Sequence, residues 1–142
     1  MFSKKIHHVA IICSSYGISR HFYTSILGLE VIHEIFRAER KSWKVDLKVN
    51  DQIQIELFSF PNPPNRPSRP EACGLRHLAF EVDSIETAET WLKSHNIEVE
   101  PVRTDEYTGR RFTFFQDPDG LPIEIYETYL AGKSGLPCPE LL

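Results

Sequence analysis

No apolar run in this chain approaches the length of about 18 residues that a helix needs to cross a membrane. The opening Met1-Phe2-Ser3-Lys4-Lys5-Ile6 meets a histidine pair at once, so a signal peptide is not expected. The closing Pro-Glu-Leu-Leu carries no lipidation cysteine. Cysteine is scarce. Cys13, Cys73 and Cys138 are odd in number, widely spaced and form no C-x-x-C, which argues against a disulfide framework or a zinc knuckle. Reduced thiols in a cytoplasm suit them better. No long basic run interrupts a net charge of −4, so nucleic acid is not an expected partner, nor is a membrane. What remains is an ordinary globular balance, 41% hydrophobic and 25% charged over 142 residues. That length fits one domain, or two small half-domains sharing a core.

The chain is written twice. Ile6-His7-His8-Val9-Ala10-Ile11-Ile12 resembles Leu75-Arg76-His77-Leu78-Ala79-Phe80-Glu81, and Ile55-Glu56-Leu57-Phe58 resembles Ile123-Glu124-Ile125-Tyr126. The histidines stand 69 residues apart and the glutamates 68. Two matches at nearly one offset, too long for a solenoid, point to a duplicated half-domain.

Each copy has the same coarse plan. The first predicts an alternating strand over about 5–12 and a helix from Tyr16 to Leu27 striped by Ile18, Phe22 and Ile26, with Gly28 ending it. Strands follow near 29–37, 43–50 and 52–60, with Asn50-Asp51 turning between the last two. The second predicts a strand over 75–82 and a helix opened by Asp83 with Glu86, running to about His95, capped by Asn96 and striped by Ile85, Ala88 and Leu92. Strands then fit 97–103, 110–116 and 121–127, with Asp117-Pro118-Asp119-Gly120 as the last turn. The fold class is α+β, βαβββ twice. Half-modules of about 5–60 and 75–127 are joined by a stiff proline-rich connection over 61–70, and 130–142 reads as a tail.

Side chains alternate across a strand, so His8 shares a face with Ala10 and Ile12, His77 with Ala79, and Glu56 with Gln54 and Phe58. A polar group on a mostly apolar face costs free energy unless it finds a partner. Two imidazoles and two carboxylates at equivalent places can satisfy one another around a shared cation. Such donors suit Zn²⁺, Ni²⁺, Mn²⁺ or Fe²⁺, and the lack of thiolates disfavours a purely structural zinc site. Taken singly, a strand histidine is more often hydrogen-bonded structure and an edge glutamate more often solvated. The repetition shifts that balance towards a joint site at His8, Glu56, His77 and Glu124.

These residues resemble the vicinal oxygen chelate superfamily, glyoxalase I branch. The resemblance rests on His7-His8-Val9-Ala10-Ile11, Phe22-Tyr23 with Leu27-Gly28-Leu29, Ile55-Glu56-Leu57, Arg76-His77-Leu78-Ala79-Phe80, and Asp117-Pro118-Asp119-Gly120 running to Ile123-Glu124. It implies two βαβββ modules curling into a mixed-sheet cleft, a single domain, and four metal ligands at His8, Glu56, His77 and Glu124. The ion would be Ni²⁺ or Zn²⁺, with Co²⁺ or Mn²⁺ as alternatives, and a homodimer is common among the relatives. The implied chemistry is that of a lyase or isomerase: a small 2-oxoaldehyde or its thiol adduct undergoes proton transfer through a metal-bound enediolate. Glu124 or Glu56 would be the base, Glu124 by preference.

Glutathione-using members carry an Arg where this chain has Ile12 and an Asn where it has Phe60, so glutathione recognition is not expected. Arg66, Arg69, Arg110 and Arg111 are candidates to orient an anionic substrate, although each also reads as solvated charge. Cys73 stands four residues before His77 and reads as packing. Competing functions are an extradiol-type oxygenase or antibiotic-modifying thiol transferase, which Glu56 counts against. An epimerase usually has Gln at that position. A non-catalytic small-molecule-binding protein generally lacks the metal residues.

Overall fold

The computed structural model describes residues 2–128; the expected tail and Cys138 lie outside them. The described residues gather into two compact units. One holds residues up to Pro67 together with Asp117–Asp119, and the other holds Ser68–Gln116 and the chain from Gly120.

The first unit runs β1 (His8–Cys13), α1 (Tyr16–His21), β2 (Glu30–Arg37), β3 (Ser42–Lys48) and β4 (Gln54–Ser59). Its sheet order is β1-β4-β3-β2, with β1 parallel to β4 and the other pairs antiparallel. The second repeats this with β5 (Leu78–Val82), α2 (Ile85–Ser94), β6 (Arg103–Thr104), β7 (Arg111–Gln116) and β8 (Pro122–Glu127), in the order β5-β8-β7-β6. The duplication expected from sequence is therefore present as two four-stranded mixed sheets. No helix among the described residues is long and apolar enough to cross a membrane.

Alternation sorts each sheet into two faces. In the first unit Ile11, Val45, Leu47, Ile55 and Leu57 are buried, joined by Cys13 and by Ser19, Phe22 and Tyr23 from the helical segment. In the second, Thr113, Phe115, Ile123 and Ile125 are buried with Ile85 and Leu92 of α2. The opposite strand faces carry the polar residues.

Three expectations change in detail. After α1 the helix continues in a wider, π-type turn over Phe22–Ile26, where Leu27 N–H donates to Phe22 O. The buried positions are therefore Ser19, Phe22 and Tyr23, and Ile18 is 62% exposed. Gly28, at φ +76°, ends the segment as expected. Second, α2 is capped by Ser84 rather than Asp83, its hydroxyl accepting the Thr87 N–H. Third, the strand expected over 97–103 shrinks to Arg103–Thr104. Pro101 has no N–H to offer a ladder, and upstream of it Glu100 N–H bonds Phe114 O while the Thr113 hydroxyl bonds Glu100 O. The proline-rich connection forms neither helix nor strand.

The thiols separate cleanly. Cys13 is buried, and that burial pushes its thiol up to about 11. Cys73 is exposed rather than packed. Iodoacetamide at pH 8 is expected to alkylate Cys73 in the native protein and Cys13 only in denaturant, read by peptide mass spectrometry. Rapid native labelling of Cys13 would contradict this packing.

Candidate metal centre

The four repeated residues come together as two pairs, one in each unit. In the first, the register sets Ala10 opposite Glu56 across the parallel β1–β4 pair, and His8 lies two residues before Ala10 on the same face. The alanine methyl leaves room for the imidazole to lean towards the carboxylate, and His8 Nε2 lies 3.7 Å from Glu56 Oε2. The second unit repeats the device: Ala79 faces Glu124, His77 precedes it by two, and His77 Nε2 lies 3.1 Å from Glu124 Oε2. Within either unit, among the described residues, no third His, Cys, Asp or Glu joins the pair.

Two donors about 2.1 Å from one ion, at the angles of octahedral or tetrahedral geometry, stand roughly 3.0–3.4 Å apart. His77 and Glu124 fall within that range, and His8 and Glu56 lie slightly outside it. Each imidazole turns Nε2 to its carboxylate. His8 Nδ1 lies 2.9 Å from His7 Nδ1, which fixes the ring from behind. The His77 ring packs edge-on against Phe114, centroids 5.2 Å apart. Imidazole plus carboxylate is a donor set for a borderline divalent ion, so the residues present fit one.

The two pairs differ in what flanks the glutamate. Glu56 Oε1 accepts a hydrogen bond from Lys44 Nζ at 3.2 Å, and Lys44 also bonds Asp46 Oδ1 at 2.5 Å. Burial pulls the Lys44 ammonium down, but the bonds to Asp46 and Glu56 outweigh it and hold it charged. At the equivalent register positions the second unit has Phe112 and Phe114. Glu124 thus has Phe114 as its cross-strand partner where Glu56 has Asp46, and Phe112 stands in the place of Lys44. Sequence reading passed over Lys44 and Asp46, although Lys44-x-Asp46-x-Lys48 is a polar face on an otherwise buried strand.

The arginine candidates divide. Arg110 donates to Glu127 O and Glu81 and lies over the Tyr126 ring, 4.6 Å to its centroid. Arg111 clamps Glu127 and Glu86, holding the Glu86 carboxyl down at about 2. Both are committed to the scaffold. Arg69 lines a cavity of about 240 Å³ beside His77, shared with Arg76 and Arg103; Arg66 belongs to the first unit and does not line it. In the first unit Arg37 lies over Phe58 and Phe60, at 4.9 and 5.8 Å, and donates to the Ser42 hydroxyl at 2.7 Å, while its buried Nε has no partner among the described residues.

Residues 5–125 match the sequence model of the Glyoxalase/Bleomycin resistance protein/Dioxygenase superfamily. The chain is 60% identical to the Escherichia coli (strain K12) protein YaeR over 124 residues, covering 87% of this chain and 96% of that one. It is 58% identical to YwkD of Bacillus subtilis (strain 168), covering 89% and 99%. A crystal structure of a glyoxalase family protein from Enterococcus faecalis superposes with a TM-score of 0.82 at 50% identity, covering 89% of this chain and all of that one.

Proposed function

Because the chain belongs to the glyoxalase/bleomycin resistance protein/dioxygenase superfamily, we propose that it is a metal-dependent lyase or isomerase of the glyoxalase I type. Its substrate class is a small 2-oxoaldehyde or its thiol adduct. Members of the superfamily generally bind a divalent metal. The observation that carries the reading is the repeated His–Glu pair, His8 with Glu56 and His77 with Glu124. These four are the proposed ligands, with Ni²⁺ or Zn²⁺ first among the candidates.

When bound, the ion supplies Lewis-acid polarisation of the substrate's carbonyl oxygen. The chain's own part is proton transfer. Glu56 is engaged by Lys44, whereas Glu124 is ion-paired, among the described residues, with His77 alone. That difference supports Glu124 as the base that takes a proton from carbon and returns it to the neighbouring carbon. Glu56, steadied by Lys44, acts as the fixed ligand.

The test is metal content per folded chain of tag-free protein, by plasma mass spectrometry, followed by turnover of 2-oxoaldehydes with several thiols. About one nickel, zinc, cobalt or manganese with isomerase turnover supports the proposal. Iron with oxygen uptake would replace it with an oxygenase, and failure to take up any ion on reconstitution would leave a binding protein.

Glutathione adducts are expected to be poor substrates. Ile12 is exposed on the His8 face, and Phe60 stacks 6.2 Å from Phe58. Neither side chain can hold a peptide carboxylate or amide. Two missing charge-assisted contacts correspond to a kcat/KM roughly 100-fold below that of the preferred adduct. Efficient turnover of the glutathione hemithioacetal would refute this.

A further inference from the structure

We propose that the cavity beside His77 is an anion subsite, holding a carboxylate or phosphate carried by the substrate. Three arginines, Arg69, Arg76 and Arg103, line it together with His77 and Phe114. Two carboxylates also line it and leave one positive charge in excess: Glu100 pairs with Arg103 at 3.0 Å and Glu71 with Arg76 at 3.8 Å. Arg69 has no carboxylate partner among the described residues. A local positive excess stands out on a chain whose net charge is −4.

Arg103 is positioned before any ligand arrives. Its guanidinium carbon lies over Phe112 and Phe114, 5.1 and 5.5 Å from their centroids, which holds it against the sheet. Nη2 is taken by Glu100, and its other nitrogens make no hydrogen bond among the described residues. A planar group held over aromatic rings with donors to spare is an arrangement that binds an oxyanion through two parallel hydrogen bonds. Arg69 reaches the cavity lining from the proline-rich connection.

The consequence is a division of labour within one unit: His77 and Glu124 at the reacting end, the arginines on the charged end of the substrate. The inference rests on the proposed function for that assignment, although the subsite is testable without it. The preferred substrate would then be a 2-oxo compound or adduct bearing its own acidic group, rather than uncharged methylglyoxal.

The experiment titrates the full-length protein, metal-loaded and chelated, with inorganic phosphate and separately with propionate. Binding is read by calorimetry and by the His77 ring resonances. Saturable binding of at least one probe is expected in both forms. Arg69→Gln or Arg103→Gln should weaken it about tenfold each, with metal content unchanged, and the preferred probe identifies the acidic group. No binding of either probe, or binding indifferent to the double variant, would overturn the subsite. Full metal content alongside that failure would leave the proposed function standing; anion binding in a protein that takes no metal would do the reverse.

Discussion

Replacing His77 by alanine is expected to lower divalent-metal affinity by about 100-fold or more, with far-UV circular dichroism unchanged. Loss of a partner outside the coordination sphere already costs 10- to 100-fold in typical sites, so loss of a ligand should cost at least the upper end of that range. The fold is expected to survive because the His77 side chain is 30% exposed and is bonded to Glu124 rather than to the core. Glu56→Ala should have a similar effect on metal. It also strips Lys44 of one of its two carboxylates, Asp46 remaining, so a small loss of stability should accompany it. Competition with a chromophoric chelator measures both variants. Full metal retention by both would remove the ligand assignment.

Leu57→Ala is expected to destabilise the protein by about 2–5 kcal/mol and lower its melting temperature by roughly 10 °C. Leu57 is completely buried on β4, between Ile11 of β1 and Val45 of β3 in the ladder. Both neighbours are themselves buried, and a central strand fixed on two sides cannot collapse into the vacated volume. Its chain neighbour Glu56 points to the opposite face, so metal affinity below the melting transition should change little. Equilibrium unfolding in urea checks the first expectation, and the same chelator competition checks the second. A shift below 2 °C would mean that β4 is not packed as described.

The repetition was the legible part of the sequence. Its offset placed both helices and all but one of the strands within a few residues, and it singled out the two histidines and two glutamates that the fold sets side by side within each unit. What it concealed had local causes. The buried stripe of the first helix runs through Ser19, Phe22 and Tyr23 rather than from Ile18, and the backbone widens after His21, a turn that no residue type signals. The strand expected over 97–103 was curtailed by a proline inside an otherwise alternating run. Arg110 and Arg111 read from sequence as solvated charge or as candidates to orient a substrate, and neither reading could anticipate Glu81, Glu86 and Glu127 beside them. Arg103 was overlooked because its place over Phe112 and Phe114 across a strand pair depends on register, which a linear pattern does not carry.

The first unit also depends on residues made late. Tyr23 is fully buried, and its hydroxyl donates to Asp117 Oδ2 at 2.9 Å; Asp119 accepts the Ser14 N–H at 3.0 Å. Burial and the Asp117 carboxylate both keep the phenol protonated, so this bond persists across the physiological pH range. A chain emerging from the ribosome has completed all four strands of the first sheet some sixty residues before Asp117 is synthesised. Until then the Tyr23 hydroxyl must go without its partner in a buried position, at a cost of about 1–3 kcal/mol. The N-terminal half is therefore not a folding unit that can finish early and wait. Its last contacts form only when the C-terminal half delivers the Asp-Pro-Asp-Gly turn, so a message cut short after the first sheet would yield a half-module prone to proteolysis.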